Sequence, residues 1–151
     1  MTKAATIETL AVSKLTISRT FAATRERVFK AFTDPDVLKE WFGPEGFSVP
    51  SATVDFRVGG KYRITMRSPE ATDHTVVGIY REIDEPNRLV FTWSWETGDM
   101  PDADTLVTLD FADDGSGTAM TLTHEGFPSE ELRDRHDEGW CSSFNCLEGV
   151  L

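Results

Sequence analysis

Between Arg88 and Trp95 the chain reads Arg-Leu-Val-Phe-Thr-Trp-Ser-Trp. This alternation puts Leu89, Phe91, Trp93 and Trp95 on one face of a β-strand and Val90, Thr92 and Ser94 on the other. Four large apolar side chains on one face of one strand need a cover, whether a helix, a second sheet or a ligand. The end of the chain offers one. Leu132, His136, Trp140, Phe144, Leu147 and Leu151 recur at steps of three or four, which predicts a long amphipathic helix. Ser129 is placed to cap it, and Glu130 and Glu131 suit its positive N-terminus.

The segments between fit the same plan. Leu15–Phe21 alternates as a strand, with Leu15, Ile17, Arg19 and Phe21 on one face. Thr24 then caps a short helix carrying Val28, Phe29 and Phe32. Asp34-Pro35 opens a second, with Val37, Leu38, Trp41 and Phe42, which stops at Gly43-Pro44. Val54, Phe56 and Val58 alternate as a strand, Gly59-Gly60 reads as a hairpin turn, and Tyr62, Ile64 and Met66 alternate in the next strand. A strand over 75–83 precedes Leu89–Trp95, and two more follow the acidic stretch 97–104. They are 105–112 and the strand bearing Met120, Leu122 and His124 on one face. One strand, two short helices, six strands and a long helix make an α+β chain whose antiparallel sheet can curl around the last helix. The expected organisation is a lead-in over 1–14 and a single domain over 15–151.

The bulk properties exclude several classes of function. A formal charge of −11 opposes nucleic-acid binding, which needs clustered Lys and Arg. Residues 1–67 are net +4 and residues 68–151 net −15, so an acidic docking surface for a protein partner is one expectation and plain solubility another. No apolar run approaches the ~20 residues of a membrane span, and the N-terminus lacks the apolar stretch of a signal peptide. Cys141 and Cys146, five apart on the predicted helix, point in different directions. Two thiols without disulfide geometry suit the cytoplasm.

Four ordered blocks also carry a resemblance: Trp41-Phe42-Gly43-Pro44-Glu45-Gly46-Phe47, Asp55–Tyr62, Glu85–Trp93 and Thr123-His124-Glu125-Gly126-Phe127. In these the chain resembles the heat-shock-protein ATPase activator (AHSA) homologue-like family of the START and Bet v 1-like (SRPBCC) superfamily, over roughly residues 15–151. The resemblance implies a helix-grip fold: a curved antiparallel sheet of about six or seven strands around the C-terminal helix, with a hydrophobic cavity between them. It also implies ligand-binding or stress-response roles. The chaperone-binding N-terminal domain of the eukaryotic co-chaperones is not expected in 151 residues.

The candidate site follows from that geometry. Phe56, Tyr62, Ile64, Met66, Phe91, Trp93, Trp95, His124, Trp140 and Phe144 are the expected ligand-binding wall, with Trp41, Phe42 and Phe47 at the mouth. Core packing is the competing reading of each aromatic. Buried indole and phenol donors suit an apolar or amphipathic ligand bearing a carbonyl, carboxylate or hydroxyl. His124 is the candidate for proton transfer or ligand orientation, against the reading of a core histidine bonded to a neighbour, and Glu125, on the other face, is a weaker one. His124-Glu125 lacks the second histidine of a zinc motif, there is no Gly-x-Ser-x-Gly elbow, and acidic neighbours make Cys141 and Cys146 poor nucleophiles. Neither a metal nor a cofactor is expected. The expected function is intracellular binding of a small apolar or amphipathic molecule without catalysis. The alternatives are a chaperone-regulating interaction module and a cyclase-like or hydrolase-like enzyme using His124. A homodimer is left open.

Overall fold

The computed structural model describes residues 14–96 and 104–151. The expected lead-in, apart from Lys14, and most of the acidic loop at 97–104 lie outside the described residues. The elements run β1 (Lys14–Phe21), α1 (Arg25–Thr33), α2 (Pro35–Trp41), β2 (Ser48–Val54), β3 (Lys61–Arg67), β4 (Asp73–Asp84), β5 (Arg88–Trp95), β6 (Thr105–Asp114), β7 (Gly117–Glu125) and α3 (Glu130–Val150).

The seven strands form one antiparallel sheet in the order β1-β7-β6-β5-β4-β3-β2, curved around α3 as a helix-grip fold. The strands from β2 to β7 are neighbours in sequence order, so adjacent connections suffice to build the sheet. β1 then pairs with β7 to complete the far edge. The helices start where their caps predict. Thr24 accepts from the Arg27 amide at 3.3 Å, Asp34 from the Asp36 amide at 2.9 Å, and Ser129 from the Leu132 amide at 3.2 Å.

The β5 alternation holds. Leu89, Phe91 and Trp93 are buried, and Trp95 is half-buried beside α3. Trp93 meets Trp140 at a ring-centroid distance of 4.9 Å. Phe144 and Leu147 of α3 are fully buried, and Phe144 packs edge-on to Phe21 of β1 at 6.2 Å and Phe32 of α1 at 6.3 Å. Burying each such side chain stabilises the fold by roughly 1.5–3 kcal/mol.

One strand lies elsewhere than the alternation suggests. β2 occupies Ser48–Val54, and Asp55–Gly60 is a turn. Within it the Gly60 amide donates to the Arg57 carbonyl at 2.8 Å, and the Asp55 amide donates to the Lys61 carbonyl at 3.0 Å. Gly59 has φ +84°, and a Cβ on Gly60 would lie 2.0 Å from the Asp55 carbonyl oxygen, so the turn requires this glycine pair. The Val54, Phe56, Val58 alternation is therefore not strand structure beyond Val54. Val58 is exposed, while Phe56 packs edge-on to Tyr80 at 5.3 Å and Phe29 at 6.1 Å. The real strand is obscured because it is an edge. It carries Pro50 beside a register shift between Ser48 and Ser51, which only an edge strand tolerates well.

Candidate functional site

Between the sheet and α3 lies a cavity of about 490 Å³. The sheet contributes Met66 from β3, His74 from β4 and Trp93 and Trp95 from β5. Helix α3 contributes Leu132, Arg135, His136, Gly139, Trp140 and Ser143, and the α2–β2 connection contributes Phe42, Gly43, Pro44 and Phe47. The connection is fastened to the helix. The Glu45 amide donates to Ser142 Oγ at 2.8 Å, and Asn145 Nδ2 donates to Glu45 Oε1 at 3.0 Å. Gly43 sits at φ +102°, and a Cβ there would lie 3.0 Å from Met66 Sδ, so a glycine lets the rim approach the sheet.

Of the expected wall, Met66, Trp93, Trp95 and Trp140 line this cavity, as do Phe42 and Phe47 of the expected mouth. Tyr62, Ile64 and Phe91 lie deeper. With Phe32, Leu38, Phe42, Tyr80, Trp93 and Trp140 they surround a separate void of about 20 Å³, below the volume of any ligand. Phe56 is beyond them, at the turn. Trp41 is buried, and its indole donates to the Ala31 carbonyl at 2.9 Å, tying α2 to α1. Phe144 is core.

His124 is fully buried, and its hydrogen bonds settle its tautomer. The Trp140 indole, which can only donate, gives its proton to Nδ1 at 3.0 Å. The Thr105 hydroxyl donates to the Trp93 carbonyl at 2.9 Å, so the 2.7 Å contact between His124 Nε2 and Thr105 Oγ1 carries the imidazole proton. The chain Trp140 to His124 to Thr105 to the Trp93 carbonyl is complete and neutral. Burial, and secondarily the charge His136 would carry, push the His124 pKa well below its ordinary 6.5. With both nitrogens committed, this imidazole positions Trp140 and has no lone pair free for proton abstraction.

His136 is bound in the opposite sense. Its Nδ1 faces the Leu132 carbonyl at 2.7 Å and therefore bears the proton, while Nε2 accepts from the Trp95 indole at 2.9 Å. Its pKa is lowered mainly by burial, against the Leu132 carbonyl, and further by the nearby Arg135 charge. Thus Trp41, Trp95 and Trp140 each place their indole N–H on an acceptor. Trp93 is the exception: its Nε1 is buried and has no hydrogen-bond partner among the described residues.

Residues 22–151 match the family described as activator of Hsp90 ATPase homolog 1-like protein. The chain belongs to that family. Solved structures of similar fold include a Chromobacterium violaceum protein (28% identity, TM-score 0.81, covering 91% of this chain and 96% of the other). Another is the AHSA1 protein of Silicibacter pomeroyi (29%, TM-score 0.79, covering 90% and 95%). A third is an Arthrobacter aurescens protein (26%, TM-score 0.81, covering 93% and 87%). No curated protein matches the chain in sequence.

In this AHSA1-like domain the sequence reading missed Gly43, Pro44, His74, Leu132, Arg135, His136, Gly139 and Ser143 as cavity residues. A usable signal was present. Gly139 and Ser143 flank the large residues of α3 at helical spacing, and small residues beside a bulky stripe leave a recess. A Cβ added at Gly139 would meet nothing within 4 Å. Among the described residues no group of three or more His, Cys, Asp or Glu side chains is placed to hold a metal ion, and no helix is long and apolar enough to cross a membrane. Cys141 and Cys146 are free thiols. Burial, then the Asp137 carboxylate, raises the Cys141 pKa, which makes it a weak nucleophile.

Proposed function

We propose that this AHSA1-like domain is a non-catalytic intracellular binding protein for a small apolar or amphipathic molecule, held between Trp93, Trp95 and Met66 of the sheet and Trp140 of α3, with Phe42 and Phe47 at the mouth. The observation that carries this reading is the orphaned Trp93 indole N–H. A buried donor without an acceptor costs ~1–3 kcal/mol. This one belongs to a ring lining a cavity whose volume falls in the usual ligand range of ~300–1,000 Å³. Nε1 is closed off from the empty cavity, so a ligand carbonyl, carboxylate or hydroxyl oxygen would satisfy it once the ring turns to present its N–H. The closed bonding of His124 favours binding over proton-transfer chemistry, and the free thiols favour a reducing compartment.

The test is native mass spectrometry and tryptophan fluorescence against a panel of apolar and amphipathic molecules, with Gly139→Phe as the blocked control. The expected result is one or more bound species that shift the emission and are lost in the control, because Gly139 lines the cavity, a Cβ there meets nothing within 4 Å, and the added ring would take up cavity space. No binding across the panel, or binding unchanged in Gly139→Phe, rejects the reading.

A further inference from the structure

Two of the chain's three histidines have both ring nitrogens committed. His124 is bonded to Trp140 and Thr105, and His136 to Leu132 and Trp95. The third, His74, lines the same cavity as His136 and differs from both. Among the described residues neither of its nitrogens has a hydrogen-bond partner. It stands opposite Met66 in the register of β3 and β4. Cross-strand partners share a face, so its side chain is on the concave side of the sheet with Met66. It is half-buried, and its ring meets that of Phe47 at a centroid distance of 6.2 Å, a contact that uses no hydrogen bond. The preceding residue, Asp73, alternates to the other face, where Arg67 holds its carboxylate at 2.7 Å.

Resting on the binding function proposed above, we infer that His74 is the specificity-determining residue of this cavity and that the occupant is a neutral apolar molecule bearing a hydroxyl, which donates its proton to the His74 imidazole. A neutral imidazole keeps one lone-pair nitrogen in either tautomer, so the acceptor is present whichever nitrogen carries the proton. Of the three oxygen groups that suit the Trp93 indole, only the hydroxyl also has a proton to give to His74. A charged group fits less well. Among the described residues lining the cavity there is no carboxylate, so a ligand ammonium would be buried without a counter-charge. The guanidinium there, Arg135, already has an interaction of its own, and the net charge of −11 adds a general repulsion of anions.

Three ligands with one apolar body test the donated proton: naphthaleneethanol, its methyl ether and naphthaleneacetate. They are titrated by calorimetry, in mildly alkaline buffer, into the full chain and into His74→Phe and His74→Leu. His74→Phe keeps a ring beside Phe47 and removes both nitrogens. The alcohol should bind the parent about fivefold more tightly than the ether, the net worth of one hydrogen bond, and more tightly than the acetate. His74→Phe should bring alcohol and ether to parity by weakening the alcohol and leaving the ether as it was. Equal affinities for alcohol and ether in the parent, tighter binding of the acetate, or an alcohol preference that survives His74→Phe overturns the inference and leaves the binding function standing. Loss of the ether from both His74→Phe and His74→Leu overturns it too, because His74 would then shape the cavity rather than read the hydroxyl. Absence of binding by all three ligands rejects the inference, and extended to the wider panel it rejects the binding function as well.

Discussion

The space between sheet and helix is lined by aromatics throughout, yet its two halves differ more than twentyfold in free volume. Around Trp93 and Trp95 it holds about 490 Å³, and around Tyr62, Tyr80 and Phe91 about 20 Å³. The strands supply similar residues to both. What differs is the opposing surface. Over the closed half, Phe32 of α1 and Leu38 of α2 push into the concavity, and Tyr62 settles its hydroxyl on the Thr92 carbonyl at 2.6 Å. Over the open half stand Gly139, Ser143 and the Gly43-Pro44 rim. Ser143 turns its hydroxyl onto the Gly139 carbonyl at 2.8 Å instead of reaching across. Whether an aromatic interior becomes core or cavity is thus decided by the small residues facing it.

The largest expected contrast is in stability. Phe144→Ala, which removes a fully buried ring packed against Phe21 and Phe32, should cost ~3–5 kcal/mol in urea unfolding. Phe47→Ala at the half-buried rim should cost about 1 kcal/mol. Comparable losses at the two sites would mean that the open half is as tightly packed as the closed one, and the contrast would fail.

Next is the pair of tryptophans that meet at 4.9 Å. Trp140→Phe strips His124 Nδ1 of its donor and should cost ~1–3 kcal/mol beyond the volume change. Trp93→Phe removes a donor that has no partner among the described residues, so it should cost less in the free protein and weaken about tenfold the binding of a ligand that bonds it. If Trp93→Phe destabilises the free protein as much as Trp140→Phe, its indole has an acceptor and the cavity loses its polar anchor.

A third effect is in pH. The folded pKa of His124 lies below its unfolded value near 6.5, so between the two the unfolded chain binds the extra proton. Above pH ~6.5 both states are neutral and the group contributes no slope. As pH falls below that point stability should drop by up to about 1.4 kcal/mol per pH unit from this one histidine, until the folded pKa is reached. Urea midpoints taken downward from about pH 7.5 should show this fall, and His124→Gln should reduce it to the part that His136, whose pKa is also lowered, contributes. A fall that is the same in the parent and in His124→Gln would mean that His124 titrates normally and that its bonded chain is open.

How much of this was readable in advance differs by element. The match of β5 to α3 was legible, because a period of two and a period of 3.6 each bring large apolar residues to a single face. β2 was not, since an exposed turn at Phe56 and Val58 imitates alternation while the true edge strand is small, polar and interrupted by Pro50. His124 was legible as an inward residue. Its commitment to Trp140 and Thr105 was not, because a hydrogen-bond chain depends on register between β6, β7 and α3, which no single segment encodes. The division of one aromatic interior into two halves was hidden for a similar reason. It depends on which residues are absent opposite Trp93, and a search for large apolar side chains passes over Gly139.

The smallest effect tests that glycine directly. In the interior of a helix Gly is less favourable than Ala by roughly 0.5–1 kcal/mol, through backbone entropy. A Cβ at 139 meets nothing within 4 Å, so no steric cost offsets the gain. Gly139→Ala should therefore raise stability by that amount and leave ligand affinity within about twofold, since one methyl removes little of the cavity's volume. Gly139→Leu should keep most of the stability and lose most of the affinity, because its branched side chain would occupy part of the cavity that Gly139 and Trp93 both line. If Gly139→Leu binds as the parent does, the recess at Gly139 is not part of the site, and the open half of the molecule is open for some other reason.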